Sequence, residues 1–173
     1  VHLIQELQLP DGREITVRPI RPEDAEMEKD FVARMSDESK YYRFMDTIRE
    51  LTQPMLVRFT QIDYDREMAL VATIKLEDGT EEQIGVSRYV TNPDGESVEF
   101  ALAVADDWQK HGIDRKLMSA LIECARMKGY RAVVGDVLAL NTKMFRLMTS
   151  LGFTIHPHPE DAAVKRVVKP LQG

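Results

Sequence analysis

EFALAVADDWQKHGIDRKLM, from Glu99 to Met118, is the stretch whose reading decides the fold. Phe100 to Ala105 form an apolar run that stops at Asp106 and Asp107. Gln109-Lys110-His111-Gly112 then turn the chain, and Leu117, Leu121 and Cys124 recur at helical spacing. The pattern predicts a strand, a tight loop and a helix. The first N–H groups of such a helix lack intrahelical partners, and its dipole adds partial positive charge, so a phosphate is a natural occupant. Taken alone, the junction also reads as a turn and cap made by Asp106, Asp107 and Gly112.

Working outward, Met68 to Ile74, Gln83 to Val90 and Val98 to Ala105 are three apolar-rich strands separated by Glu77-Asp78-Gly79 and Asn92-Pro93-Asp94-Gly95. Such short turns join antiparallel neighbours. Upstream, Val1 to Pro10 reads as an extended segment and Glu14 to Arg18 as a strand. Pro22-Glu23-Asp24 opens a helix carrying Met27, Phe31, Val32 and Met35, and further helices are expected from Ser36 to Met45 and from Leu51 to Ile62. Downstream, Gly129 ends the helix that follows the junction. Ala132 to Leu138 is then a strand reached by a helical crossover, which predicts that it lies parallel to Val98–Ala105. Asn141 starts a helix that ends at Gly152, and Phe153–Ile155 and Ala162–Val168 supply the last strands. The fold class is α/β (α+β), with a mixed, mostly antiparallel seven-stranded sheet flanked by helices, and residues 1–173 form one domain.

The composition narrows the function. With 173 residues, 43% apolar and 30% charged, the chain suits one core rather than disorder or a membrane span. A formal charge of −6 and the lack of a basic cluster argue against nucleic acid as a partner. No signal peptide or long apolar segment is visible, so the reading is cytoplasmic with no membrane association. The single cysteine, Cys124, falls on an apolar helix face and reads as a packed thiol rather than a nucleophile. His156-Pro157-His158-Pro159 has two alternate histidines in a proline-rich turn without other placed ligands, so no metal is assigned.

Gln109-x-x-Gly112-x-Asp114 resembles the acetyl-CoA pyrophosphate loop of the GNAT acetyltransferase superfamily, Gln/Arg-x-x-Gly-x-Gly/Ala, with Asp114 standing where that family has Gly or Ala. Asn141-x-x-Met144 and Leu151-Gly152-Phe153 resemble a second family feature. Arg18–Asp24, Ser36–Phe44, Ile62–Glu67 and Gly135–Leu138 narrow the likeness. They resemble the acetyltransferase domain of bacterial protein lysine acetyltransferases that modify acyl-CoA synthetases. In many of those the domain ends a much longer chain, and the start at Val1 fits such an excised domain.

The resemblance implies direct transfer of acetyl from acetyl-CoA to an amine, in a groove where the two central parallel strands splay. A lysine ammonium at neutral pH lies about 3.4 units below its pKa of ~10.4, roughly 4–5 kcal/mol against the free amine. Glu99 matches the family's glutamate base, acting directly or through water. The resemblance assigns the oxyanion donor to the Val104 N–H and the pantetheine contacts to Leu102 and Val104. Gln109, Lys110, His111, Gly112, Ile113, Asp114 and Arg115 would surround the diphosphate. Asn141 reads equally as a cofactor contact or a helix cap. Met148 occupies the position of the tyrosine acid of many relatives, a loss that a thiolate leaving group with a pKa of about 8.5 tolerates.

Asp114 is the departure that matters. At ~5 Å from a phosphate charge its repulsion is about 3 kcal/mol at an effective dielectric of ~20, an upper bound. The reading is therefore an acetyl-CoA-dependent lysine acetyltransferase with a protein acceptor such as an acyl-CoA synthetase. The alternatives are a weak or inactive acyl-CoA-binding regulatory domain, and an acetyltransferase acting on a small amine.

Overall fold

A computed structural model of the chain describes residues 4–9, 12–36, 53–109 and 112–171. Its strands are β1 (Gln5–Gln8), β2 (Glu14–Pro19), β3 (Glu67–Lys75), β4 (Glu81–Thr91), β5 (Ser97–Val104), β6 (Ala132–Leu138), β7 (Thr154–Pro157) and β8 (Val164–Pro170). The helices are α1 (Ala25–Arg34), α2 (Gln53–Thr60), α3 (Ile113–Met127) and α4 (Thr142–Ser150). The segment from residue 37 to 52, where a further helix was expected, lies outside the described residues, as do Lys110 and His111.

The strands form one eight-stranded sheet in the order β1-β2-β3-β4-β5-β6-β8-β7. Among the described residues the count is eight rather than the seven expected, because Gln5–Gln8 pairs with Glu14–Val17 and is a true edge strand. Every pairing is antiparallel except β5 with β6, which is parallel as the α3 crossover requires. The final hairpin folds back so that β8, not β7, lies beside β6.

Period-two alternation divides β5 between two cores. Val98, Phe100, Leu102 and Val104 face α3, meeting Ile113 and Leu117 in the larger core, while Ala103 faces α1 and packs with Phe31, Val32 and Met35 in the smaller one. Cys124 lies in the larger core as a buried free thiol.

The smaller core covers two buried ion pairs. Arg18 grips Asp24 with two bonds of 2.8 and 2.9 Å and also reaches Glu81 at 3.1 Å, tying the turn before α1 to the sheet. Glu28 of α1 is buried against Arg88 and accepts from Gln83 Nε2 at 2.8 Å. A carboxylate this deep is tolerable only because both oxygens are bonded and one partner is a cation.

Candidate active site

β5 and β6 stay paired for three positions, Ser97 with Ala132, Val98 with Val133 and Glu99 with Val134. Beyond Glu99 the strands part. β5 continues beside β4 as far as Val104 opposite Gly85, while β6 continues beside β8 as far as Leu138 opposite Val164. A fork opens between them, and Glu99 stands at its apex.

The hydrogen-bond phase of β5 sets what lines the fork. Ala105 N–H donates to Ile84 of the β4 side at 2.8 Å, so the odd-numbered residues of β5 serve the β4 ladder. The even-numbered ones point the other way. Past the last parallel pair, Leu102 and Val104 therefore direct their N–H groups into the fork. Gln109 Nε2 donates to the Val104 carbonyl at 3.2 Å, bracing the end of the strand.

The closed end of the seam is wedged from below. A Cβ on Gly135 would lie 2.3 Å from the Phe100 ring, so only glycine leaves room for that ring beside β6. Phe153 meets the same ring edge-on at 5.7 Å between centroids.

The wide end of the fork meets the N-terminus of α3. Gly112 is its N-cap with φ 77°, a left-handed conformation that suits glycine, and Lys116 N–H makes the first intrahelical bond, back to Gly112 at 3.1 Å. Ile113, Asp114 and Arg115 have the amides ahead of that bond. Asp114 Oδ1 accepts from the Arg115 N–H at 2.7 Å, so the carboxylate already covers one of the three. Arg115 sends its guanidinium across to Ser150 Oγ, 2.7 Å away at the end of α4.

Glu99 is exposed on the face shared with Ala101 and Ala103. Loss of water to the surrounding sheet is the first cause that lifts its carboxyl above the ordinary range, and the charge on Asp136 is the second; Arg166 opposes both. The cluster behind this shift is absent from the sequence reading. Asp136 lies two residues past Val134 and takes Arg166 Nε at 3.2 Å and His158 Nε2 at 3.5 Å. Its alternation with Val134 was the available signal, but its partners come from a register only folding reveals.

Other residues singled out in the sequence take these places. Asn141 Oδ1 accepts from the Met144 N–H at 3.3 Å, so its side chain caps α4. Met148 is fully buried. His156 belongs to β7 rather than to a turn, with Nε2 2.7 Å from Thr154 Oγ1. Among the described residues no group of three or more His, Cys, Asp or Glu side chains is placed to hold a metal, and no helix is long and apolar enough to cross a membrane.

A splayed parallel pair followed by a glycine-capped helix tip offers backbone donors along a strand and amides at a helix end, and comparison with known proteins gives the arrangement a family. The family model described as "Acetyltransferase (GNAT) domain" matches residues 14–154. The chain belongs to the GNAT acetyltransferases. It is 38% identical over 154 residues to Acetyltransferase PA5475 of Pseudomonas aeruginosa, covering 89% of this chain and 82% of that one. It is 31% identical over 147 residues to Acetyltransferase Pat of Mycolicibacterium smegmatis, covering 84% of this chain and 43% of that longer protein. The crystal structure of the GNAT domain of S. lividans PAT superposes with a TM-score of 0.86 at 30% identity, covering 98% of this chain and 97% of that one. GNAT domains are acyltransferases that bind acetyl-CoA, and the groove fits that cosubstrate in one respect that is independent of the family. An extended pantetheine carries amides, and the Leu102 and Val104 backbone presents the matching donors.

Proposed function

We propose that the domain transfers acetyl from acetyl-CoA to the ε-amine of a protein lysine, with an acyl-CoA synthetase as the acceptor class that the likeness to Pat and to S. lividans PAT favours. The observation that carries the reading is the placement of Glu99 at the apex of the fork, ahead of the N–H groups of Leu102 and Val104.

Residues 102 to 104 hold the pantetheine as an added strand, and the α3 tip takes the diphosphate through the amides of Ile113 and Asp114, aided by Gln109, Lys110, His111, Gly112 and Arg115. Asn141 contributes through the cap of α4. Glu99 receives the proton that the ammonium sheds, and the neutral amine attacks the thioester carbonyl while an N–H of β5 polarises its oxygen. Strand rise separates the two choices of donor. Leu102 lies three residues, about 10 Å, along the strand from Glu99, and Val104 five residues, about 16 Å. A carbonyl on Leu102 allows Glu99 to take the proton directly, whereas a carbonyl on Val104 requires a water relay. The thiolate leaves unassisted, Met148 being buried and without an acidic proton.

The test is transfer of radiolabelled acetyl to a panel of acyl-CoA synthetases and, in parallel, to polyamines, by wild type and Glu99→Gln. Label on a synthetase lysine that Glu99→Gln abolishes supports the reading. Label only on polyamines moves the acceptor to small amines. Asp114 favours a second reading, a cofactor-sensing domain, because it occupies an amide that phosphate would use. Calorimetric binding of acetyl-CoA without transfer to either panel would select it.

A further inference from the structure

Two carboxylates flank the fork, one on each of the strands that part. Glu99 is the last β5 residue paired with β6, opposite Val134. Asp136 is two residues further on β6, hence on the same face of the sheet as Val134. It is not a loose surface acid. Directly opposite it in the β6–β8 ladder is Arg166, whose Nε is 3.2 Å from Oδ1. On its other oxygen sits His158, whose Nε2 is 3.5 Å from Oδ2. The His158 ring is itself fixed, because Nδ1 accepts from the Glu160 N–H at 3.1 Å, leaving Nε2 as the nitrogen that carries the proton toward Asp136 when the ring is neutral. Asp136 thus has both oxygens committed to groups on the β7–β8 side, and its charge is held at one place across the fork from Glu99.

We infer that Asp136, clamped by Arg166 and His158, is a positioning residue that acts through Glu99, fixing a negative charge beside the base and strengthening it for proton abstraction. The inference rests on the reading of Glu99 as the base. A general base works best when its pKa approaches the working pH, and a nearby like charge moves a carboxyl in that direction. Arg166 is the counterweight, offsetting part of that charge. Among the described residues, this face also carries Arg88 of β4 paired with buried Glu28, Arg18 of β2 paired with Asp24, Glu67 of β3 two strands from Glu99 and paired with Arg58, and His156 of β7 opposite Arg166. Glu28, Asp24 and Glu67 each hold a cation of their own, and the charges of this face that act on Glu99 are those of Asp136 and Arg166.

The arrangement makes a prediction of opposite signs that general damage to the fold would not produce. In protein labelled with ¹³C at the glutamate carboxyls, the resonance lost in Glu99→Gln identifies Glu99, and its titration midpoint is followed by NMR in wild type, Asp136→Asn and Arg166→Gln. Asp136→Asn lowers the midpoint by about half a unit to one unit, and Arg166→Gln raises it, as expected for single charges several ångströms away at an intermediate dielectric. With an acceptor found by the transfer assay, the acid limb of kcat/KM moves the same way in each variant, and the plateau of Asp136→Asn falls about two- to threefold. A midpoint that does not move in either variant, or that moves in the same direction in both, overturns the inference. Should Asp136→Asn fail to fold, Arg166→Gln alone decides it by the sign of its shift. Wild-type transfer by Glu99→Gln would instead refute the reading of Glu99 as base, while the midpoints still report whether Asp136 and Glu99 are coupled.

Discussion

At the fork, the backbone of Leu102 and Val104 points its N–H groups away from β4 into open space past the last parallel pair. At the tip of α3 the chain does the reverse, laying the Asp114 carboxylate on the Arg115 amide that an incoming phosphate would use. One end of the groove is left polar and available, and the other is partly satisfied from within. The difference separates two tasks. Donors for an extended carrier come at no cost from strands that simply part, whereas a helix tip exposes amides and dipole that the chain finds reason to cover.

The comparison can be broken most severely at Glu99. Glu99→Gln should lower kcat by 10²–10⁴-fold, the ordinary range for a lost general base, with acetyl-CoA affinity by calorimetry unchanged. The wedge below the fork comes next. Gly135→Val should cost about 1–3 kcal/mol in denaturant unfolding, or more, since even its Cβ would meet the Phe100 ring at 2.3 Å. The tip is sharpened by Asp114→Gly, which removes the covering carboxylate and restores the family's residue. Its acetyl-CoA dissociation constant should fall about tenfold, worth ~1.4 kcal/mol, with kcat nearly constant. An unchanged constant would mean that Asp114 swings clear of the phosphates at little cost.

The smallest effect is a control away from the groove. Burial alone would raise the carboxyls of Asp24 and Glu81, but bonds from Arg18, with the Arg21 N–H on Asp24 and the Thr73 hydroxyl on Glu81, outweigh it and hold both below their ordinary values. Groups depressed in the folded state stabilise it above their unfolded pKa values of about 3.9 and 4.3, and that stability is lost as pH falls through those values toward the folded ones. Melting temperature should therefore be level near pH 6–7 and decline below about pH 5, with a shallower decline in Arg18→Met.

What was legible in the chain followed from local chemistry. Val98 to Ala105 alternates and then breaks at two acids, Gly79 and Gly95 sit in their turns with φ 88° and 68°, and Gly112 caps α3. The crossover between β5 and β6 had to make them parallel. What was hidden depended on distant register. Arg18 meets Glu81 across 63 positions and Arg88 meets Glu28 across 60, and no periodicity announces such partners. The clamp on Asp136 was invisible for the same reason, since it requires knowing that β8 rather than β7 lies beside β6. The edge strand Gln5–Gln8 was undercounted because it is short and polar, with little apolar alternation to mark it.

The parting of β5 and β6 also has a mechanical side. β6 remains laced to β8 along all seven of its residues, and β5 to β4 along seven of its own, so the split leaves two laced leaves joined within the sheet by a spine of three residue pairs and beneath it by Phe100 against Phe153 and the shared core under α3. A change in the width of the slot would load that spine and the Phe100 contact beneath it while leaving either ladder whole.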